Sequence, residues 1–136
     1  MKFYKCDVCG KIVAMVKETS VDTLCCGQPM RELVPGTTEI CASEAAAKRS
    51  LEHCATEKHV PVYTVTGNTV TVKVGAAEHP MTDAHHIEWI VIETENGNQR
   101  KELKAGDKPE ATFALVPYDK VKNVYEYCNL HGLWKT

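Results

Sequence analysis

From Val60 onward, apolar and polar side chains alternate with a period of two. The run PVYTVTGNTVTVKVG does so on either side of Gly67-Asn68, and HIEWIVIETENGNQRKEL repeats the scheme about Asn96-Gly97. Both read as β-hairpins, because Asn and Gly accept the positive φ that a tight turn demands. ATFALVPY and NVYEYCNLHGLW add two further β-rich runs. Several short strands joined by turns, with no interleaved helix, predict an antiparallel sandwich or barrel over residues 57–136.

The pattern before that point is different. Residues 1–36 hold two short strand-like runs, KFYKC and KIVAMVKE, punctuated by glycines and cysteines. So small a piece cannot hold itself together by apolar burial, and a metal is the expected staple. Residues 37–56 form a linker, in which SEAAAKRSLEH combines good helix formers with Ser43 as N-cap and predicts one short helix.

Composition narrows the function classes. The net charge of −2 gives no basic footprint for nucleic acid, and no window approaches the roughly 20 apolar residues of a membrane span. MKFYKCDVCG has no apolar signal core. A cytoplasmic location is therefore expected, where clustered cysteines bind metal more often than they form disulfides. Four of the seven cysteines fall within the first 26 residues, whereas five of the six histidines lie at or beyond position 59. That asymmetry predicts two sites of different chemistry.

Cys6 and Cys9 form a CxxC, and Cys25 and Cys26 are adjacent. A CxxC turn points both sulfurs at one metal, and a second pair completes a tetrahedron of thiolates suited to zinc or a single iron. A thioredoxin-type redox role would need a βαβ context, which the pattern lacks. Two neighbouring residues cannot use the relaxed turn of a second CxxC, so the tetrahedron is expected to be distorted. Distortion would tune an iron redox centre and gain a structural zinc nothing.

The remaining candidates are His59, His79, His85, Cys128 and His131. Each alone would read as an ordinary surface or hydrogen-bonded side chain. Together they lie in three separate segments, each beside a turn former (Pro61, Pro80, Gly132), and loops at one edge of a sandwich could bring such segments together. With four imidazoles in a plane and a thiolate on the axis, a ferrous ion would keep one open position opposite sulfur. A thiolate there donates electron density across the metal and suits inner-sphere reduction.

CDVCG and CCGQPM, then EKHVPV, VGAAEHPMTDAHHIEWI and YCNLHGLWK, occur in that order, and the chain resembles desulfoferrodoxin, the two-iron class of superoxide reductase. The resemblance implies a mainly β protein with an N-terminal desulforedoxin-like or rubredoxin-like domain and a C-terminal immunoglobulin-like β-sandwich. It implies two irons per chain: Fe(Cys)4 on Cys6, Cys9, Cys25 and Cys26, and Fe(His)4Cys with His59, His79, His85 and His131 in its plane and Cys128 axial. It further implies superoxide as substrate, hydrogen peroxide as product, rubredoxin as electron donor and a homodimer. An electron-transfer protein without oxygen chemistry, or a zinc-bound structural module, is the competing expectation.

Lys58, beside His59, is expected to attract the superoxide anion, and the resemblance implies that Glu57 closes the sixth position once the iron is ferric. His86 directly follows His85, so the two should point to opposite sides of the backbone and only His85 should reach the site. The backbone N–H groups of Asn129, Leu130 and His131 are placed to temper the cysteine sulfur. The linker carries Cys41, His53 and Cys54, for which the resemblance implies no role. A helix between the two cysteines would separate them by about 20 Å, against the roughly 7 Å a disulfide tolerates. They are expected to be free thiols.

Overall fold

The computed structural model describes residues 1–36 and 56–136; Cys41, His53, Cys54 and the helix expected over 43–53 lie outside the described residues. The chain divides into two compact units, Met1–Val34 and Pro35–Thr136. None of the described helices is long and apolar enough to cross a membrane.

In the first unit, β1 (Lys2–Lys5) pairs antiparallel with β2 (Ile12–Met15) on one side and β5 (Arg31–Glu32) on the other. A second small hairpin joins β3 (Leu24–Cys25) to β4 (Gln28–Pro29). Its two turn residues, Cys26 and Gly27, have φ of 52° and 79°. Positive φ at both central positions is the type I′ geometry that matches the twist of a two-residue hairpin. The buried apolar side chains here are few, Phe3, Met30 and Leu33 together with Cys6, as expected of a unit held by something other than its core.

In the second unit a four-residue helix, α1 (Thr56–His59), which the sequence pattern did not indicate, precedes the described strands. Pro61 two residues on prevents its continuation. Seven strands follow: β6 (Pro61–Thr66), β7 (Thr69–Val74), β8 (Ile87–Thr94), β9 (Asn98–Glu102), β10 (Glu110–Ala114), β11 (Val121–Cys128) and β12 (Gly132–Lys135). They form two antiparallel sheets, β10-β7-β6 and β12-β11-β8-β9, the expected mainly β, immunoglobulin-like sandwich. The hairpins turn where Gly67-Asn68 and Asn96-Gly97 placed them. The terminal run NVYEYCNLHGLW, expected as one β-rich run, is instead two strands folded back at residues 129–131.

The alternation in β7 is complete, with Val70, Val72 and Val74 buried, and these meet Ile87, Ile90, Ile92, Phe113 and Val124 from the other strands. Each such side chain contributes about 1.5–3 kcal/mol on leaving water, so the sandwich is a rigid frame on which loops can be held. Cys128 is part of this core, at 0 % exposure.

Candidate metal centres

In the N-terminal unit the CxxC loop is closed by backbone bonds. The Gly10 N–H donates to the Cys6 carbonyl (2.9 Å) and the Cys6 N–H to the Lys11 carbonyl (2.9 Å). Arg31 holds the loop from outside through a two-pronged pair with Asp7, Nη2 to Oδ1 at 2.9 Å and Nε to Oδ2 at 3.1 Å. The I′ turn brings the adjacent pair to meet it: Cys9 Sγ lies 3.7 Å from Cys25 Sγ, and Cys25 Sγ 3.9 Å from Cys26 Sγ. Sulfurs at about 2.3 Å from one tetrahedral ion stand about 3.8 Å apart, so the four thiols fit a single metal. The thiols of this set differ in how readily they ionise. Backbone donors led by Cys9 hold Cys6 down to about 7, while its sulfur neighbours, Cys9 first, push Cys26 up to about 12.

The second set is assembled from α1, the turn before β8, and the β11–β12 turn. One donor atom from each of His59, His79, His85, Cys128 and His131 lies within 4.8 Å of all the others. The rings form a pinwheel. Successive pairs His59–His79, His79–His85, His85–His131 and His131–His59 have centroids 4.8, 4.6, 4.8 and 4.6 Å apart and interplanar angles of 74°, 79°, 76° and 81°. His59 and His85, across the square, are 6.3 Å apart and inclined by 30°, close to the diagonal of a flat square with those edges. The four rings thus surround one space, with His59 opposite His85 and His79 opposite His131. Cys128 Sγ approaches His131 Nδ1 at 3.6 Å.

For His79 a hydrogen bond decides which nitrogen the ring offers. His79 Nδ1 donates to the Pro80 carbonyl (2.7 Å), and a carbonyl can only accept, so Nε2 is left with a bare lone pair. That Nε2, and Nε2 of His85, are buried with no hydrogen-bond partner. The bare lone pair on His79 Nε2 in that buried spot is costly unless a cation fills it. His59 Nε2 and His131 Nδ1 stand 2.9 Å apart, the spacing of neighbouring nitrogens on an ion held at about 2.1 Å. Three rings therefore present Nε2 and His131 presents Nδ1, an asymmetry forced by its place three residues after Cys128. Burial first, then the Pro80 carbonyl acting in the opposite sense, leaves His79 at about 4, so the ring is neutral and ready to bind. The donor set fits a metal ion.

Burial raises the Cys128 thiol, and the backbone N–H groups of His131 and Leu130 pull the other way. The third candidate donor, the Asn129 N–H, goes instead to the His86 carbonyl (3.1 Å). Two of the three expected groups thus point at sulfur. His86 lies in a turn rather than a strand, but it does face away: its Nδ1 donates to the Thr82 carbonyl at 3.1 Å.

Glu57 and Lys58 are both exposed on α1. Their backbone is pinned by the 75–77 turn, where the Ala77 N–H donates to the Glu57 carbonyl (2.8 Å). Gly75, at φ 79°, packs so closely under Lys58 that a Cβ there would fall 2.6 Å from the Lys58 carbonyl oxygen. After burial, the Lys58 ammonium is the next influence lowering His85, which places its positive field at the site. Three supporting residues escaped the sequence reading. Gly75 gave no signal beyond lying in the VGAAEHP run. Trp134 stacks on His59 at 4.8 Å and 18°. Glu126, two residues before Cys128 and opposite Trp134 in the ladder, is fully buried, and burial pushes its carboxyl well above the usual range.

Comparison with known proteins agrees with this arrangement. The family description "Desulfoferrodoxin, N-terminal domain" matches residues 1–33 and "Desulfoferrodoxin" residues 52–136. Over its whole length the chain is 42% identical to a desulfoferrodoxin homolog of Archaeoglobus fulgidus, covering 96% of that protein. It is also 42% identical to desulfoferrodoxin of Nitratidesulfovibrio vulgaris, over 98% of this chain and 94% of the other. Among solved structures, the superoxide reductase from Treponema pallidum superposes with a TM-score of 0.76 at 34% identity, covering 99% of this chain and 95% of that one. With both matched segments each holding one of the two donor sets, the chain belongs to the desulfoferrodoxin family and carries sites for two iron centres.

Proposed function

We propose that the protein is a superoxide reductase: one superoxide, one electron and two protons give one hydrogen peroxide. The observation that supports this most is the cluster of four imidazoles with a single thiolate beside them, five donors where an octahedral ion takes six. In this reading Cys6, Cys9, Cys25 and Cys26 hold one iron, and His59, His79, His85, His131 and Cys128 the other. A ferrous ion held by the second set would supply the electron. The protein's own groups do the rest. Lys58, exposed and within electrostatic reach of His85, concentrates the anion at the site although the chain as a whole is slightly acidic. Glu57, its neighbour, offers a hard carboxylate for the oxidised state. The Leu130 and His131 N–H groups draw charge from the Cys128 sulfur and so restrain the donation that would otherwise favour O–O cleavage.

The wider assignments belong to the same reading: a metal domain at 1–36, a linker at 37–56 and a catalytic domain at 57–136, working as a cytoplasmic homodimer with rubredoxin as donor. Cysteine usage supports the compartment. Self-association is supported by β6, an edge strand with Val62, Tyr63 and Val65 exposed and no charged residue. Mixing the reduced protein with superoxide tests the activity. The reading requires second-order oxidation of the His4Cys centre by superoxide itself; a centre that only relays electrons would show none.

A further inference from the structure

We infer that Asn129 is a positioning residue for the second centre: its carboxamide stands in for a missing stretch of β-strand and locks the loop of His85 to the loop of Cys128. The inference rests on the metal-site reading above. β11 ends at Cys128, whose ladder partner is Ile87. Beyond it the chain must turn so that His131 can come back to the site, and its backbone pairing with the residues before β8 ends after one bond more. Asn129 makes one more backbone bond, N–H to the His86 carbonyl at 3.1 Å. The side chain then supplies the next two. Its Oδ1 accepts from the His86 N–H at 2.9 Å, and its Nδ2 donates to the Ala84 carbonyl at 3.0 Å.

A carboxamide has the donor and acceptor of a peptide unit, so it can continue a ladder where the main chain departs. The two residues it holds, Ala84 and His86, bracket His85. The turn from Thr82 fixes His85 from the other side, with the His85 N–H donating to the Thr82 carbonyl at 3.1 Å. One residue, bonded to Ala84 across 45 positions of chain, therefore ties the His85 loop to the cysteine next to it in sequence. Partners of this kind, once removed, typically lose metal affinity by about 10–100-fold.

The test uses the iron-loaded full-length protein and the variants Asn129→Ala and Asn129→Asp. Asp keeps the acceptor toward His86 but turns a second oxygen on the Ala84 carbonyl. Iron release to a chelator is followed at the ferric thiolate band of the second centre, with the Fe(Cys)4 absorption as internal control. Expected is roughly tenfold faster release and a shifted thiolate band for N129A, a larger effect for N129D, and an unchanged Fe(Cys)4 spectrum in both. Thermal unfolding of the iron-free forms is measured alongside. A lower melting temperature with an unmoved band and release rate would make Asn129 merely structural and overturn the inference. Cys128→Ser separates this from failure of the underlying reading: if its band survives, the metal assignment is wrong, whatever N129A does.

Discussion

Gly75 offers the sharpest test of how the scaffold holds the site. Gly75→Ala adds one methyl group at φ 79°, and that methyl would meet the Ala77 carbonyl oxygen and, at 2.6 Å, the Lys58 carbonyl oxygen. Both obstacles are backbone, so no rotamer change relieves them. A non-glycine residue at such a φ costs about 1–3 kcal/mol. With the displacement of α1 added, the total is about 2–4 kcal/mol, or roughly 10–20 °C in melting temperature for a small domain. Gly97→Ala is the control. Gly97 lacks a positive φ and has nothing within 4 Å of its added Cβ, so the change should stay within about 1 kcal/mol. Thermal unfolding of the iron-free proteins by circular dichroism reads both. Because the clash pushes on Lys58, next to His59, G75A should also weaken the ferric thiolate band at limiting iron. A melting temperature for G75A no lower than that of G97A would refute the close approach and its role in placing α1.

Other perturbations address the chemistry. Lys58→Met should slow the bimolecular reaction with superoxide by several-fold at low salt and flatten its ionic-strength dependence; an unchanged rate at low salt would remove Lys58 from the mechanism. Glu57→Ala should leave the ferric site open to added anions such as azide while the ferrous reaction keeps its speed, and a large drop in that speed would contradict the role given to Glu57. For His79 the sign follows from burial, which takes the ring from 6.5 to about 4. Between those values the unfolded chain binds a proton that the folded chain refuses, so stability of the iron-free protein should rise with pH from about 4 to 6.5 and then level off. His79→Gln should remove that part of the slope in urea titrations, and parallel pH profiles would count against a buried neutral ring.

Much of this was legible in the sequence because its signals are local. Period-two alternation fixes which valines of β7 face inward, and Asn-Gly or Gly-Asn marks the hairpins. Cys6, Cys9, Cys128 and His131, which meet in the two donor sets, stand in short motifs, CxxC and CNLHG, whose spacing suits one turn serving one ion. What was not legible is set by tertiary contact. α1 is four residues long, too short to show a helical period, and its Glu57 carbonyl is held by Ala77, twenty residues on. That β11 ends at Cys128 and β12 begins at Gly132 was not marked, because the residues on both sides of the turn are equally β-prone. Whether a histidine offers Nδ1 or Nε2 depends on where its other nitrogen finds an acceptor, as Pro80 provides for His79. The choice of Leu130 and His131 over Asn129 as donors to sulfur follows from the Asn129 N–H being engaged by His86.

The central claim is that five donors and one open position make a reductase of superoxide. The most direct measurement is a superoxide pulse on the fully reduced protein, with hydrogen peroxide and molecular oxygen quantified together. The account predicts one peroxide for each superoxide consumed, oxidation of the iron, and no oxygen evolved. Oxygen released in step with peroxide would mean dismutation and would contradict it.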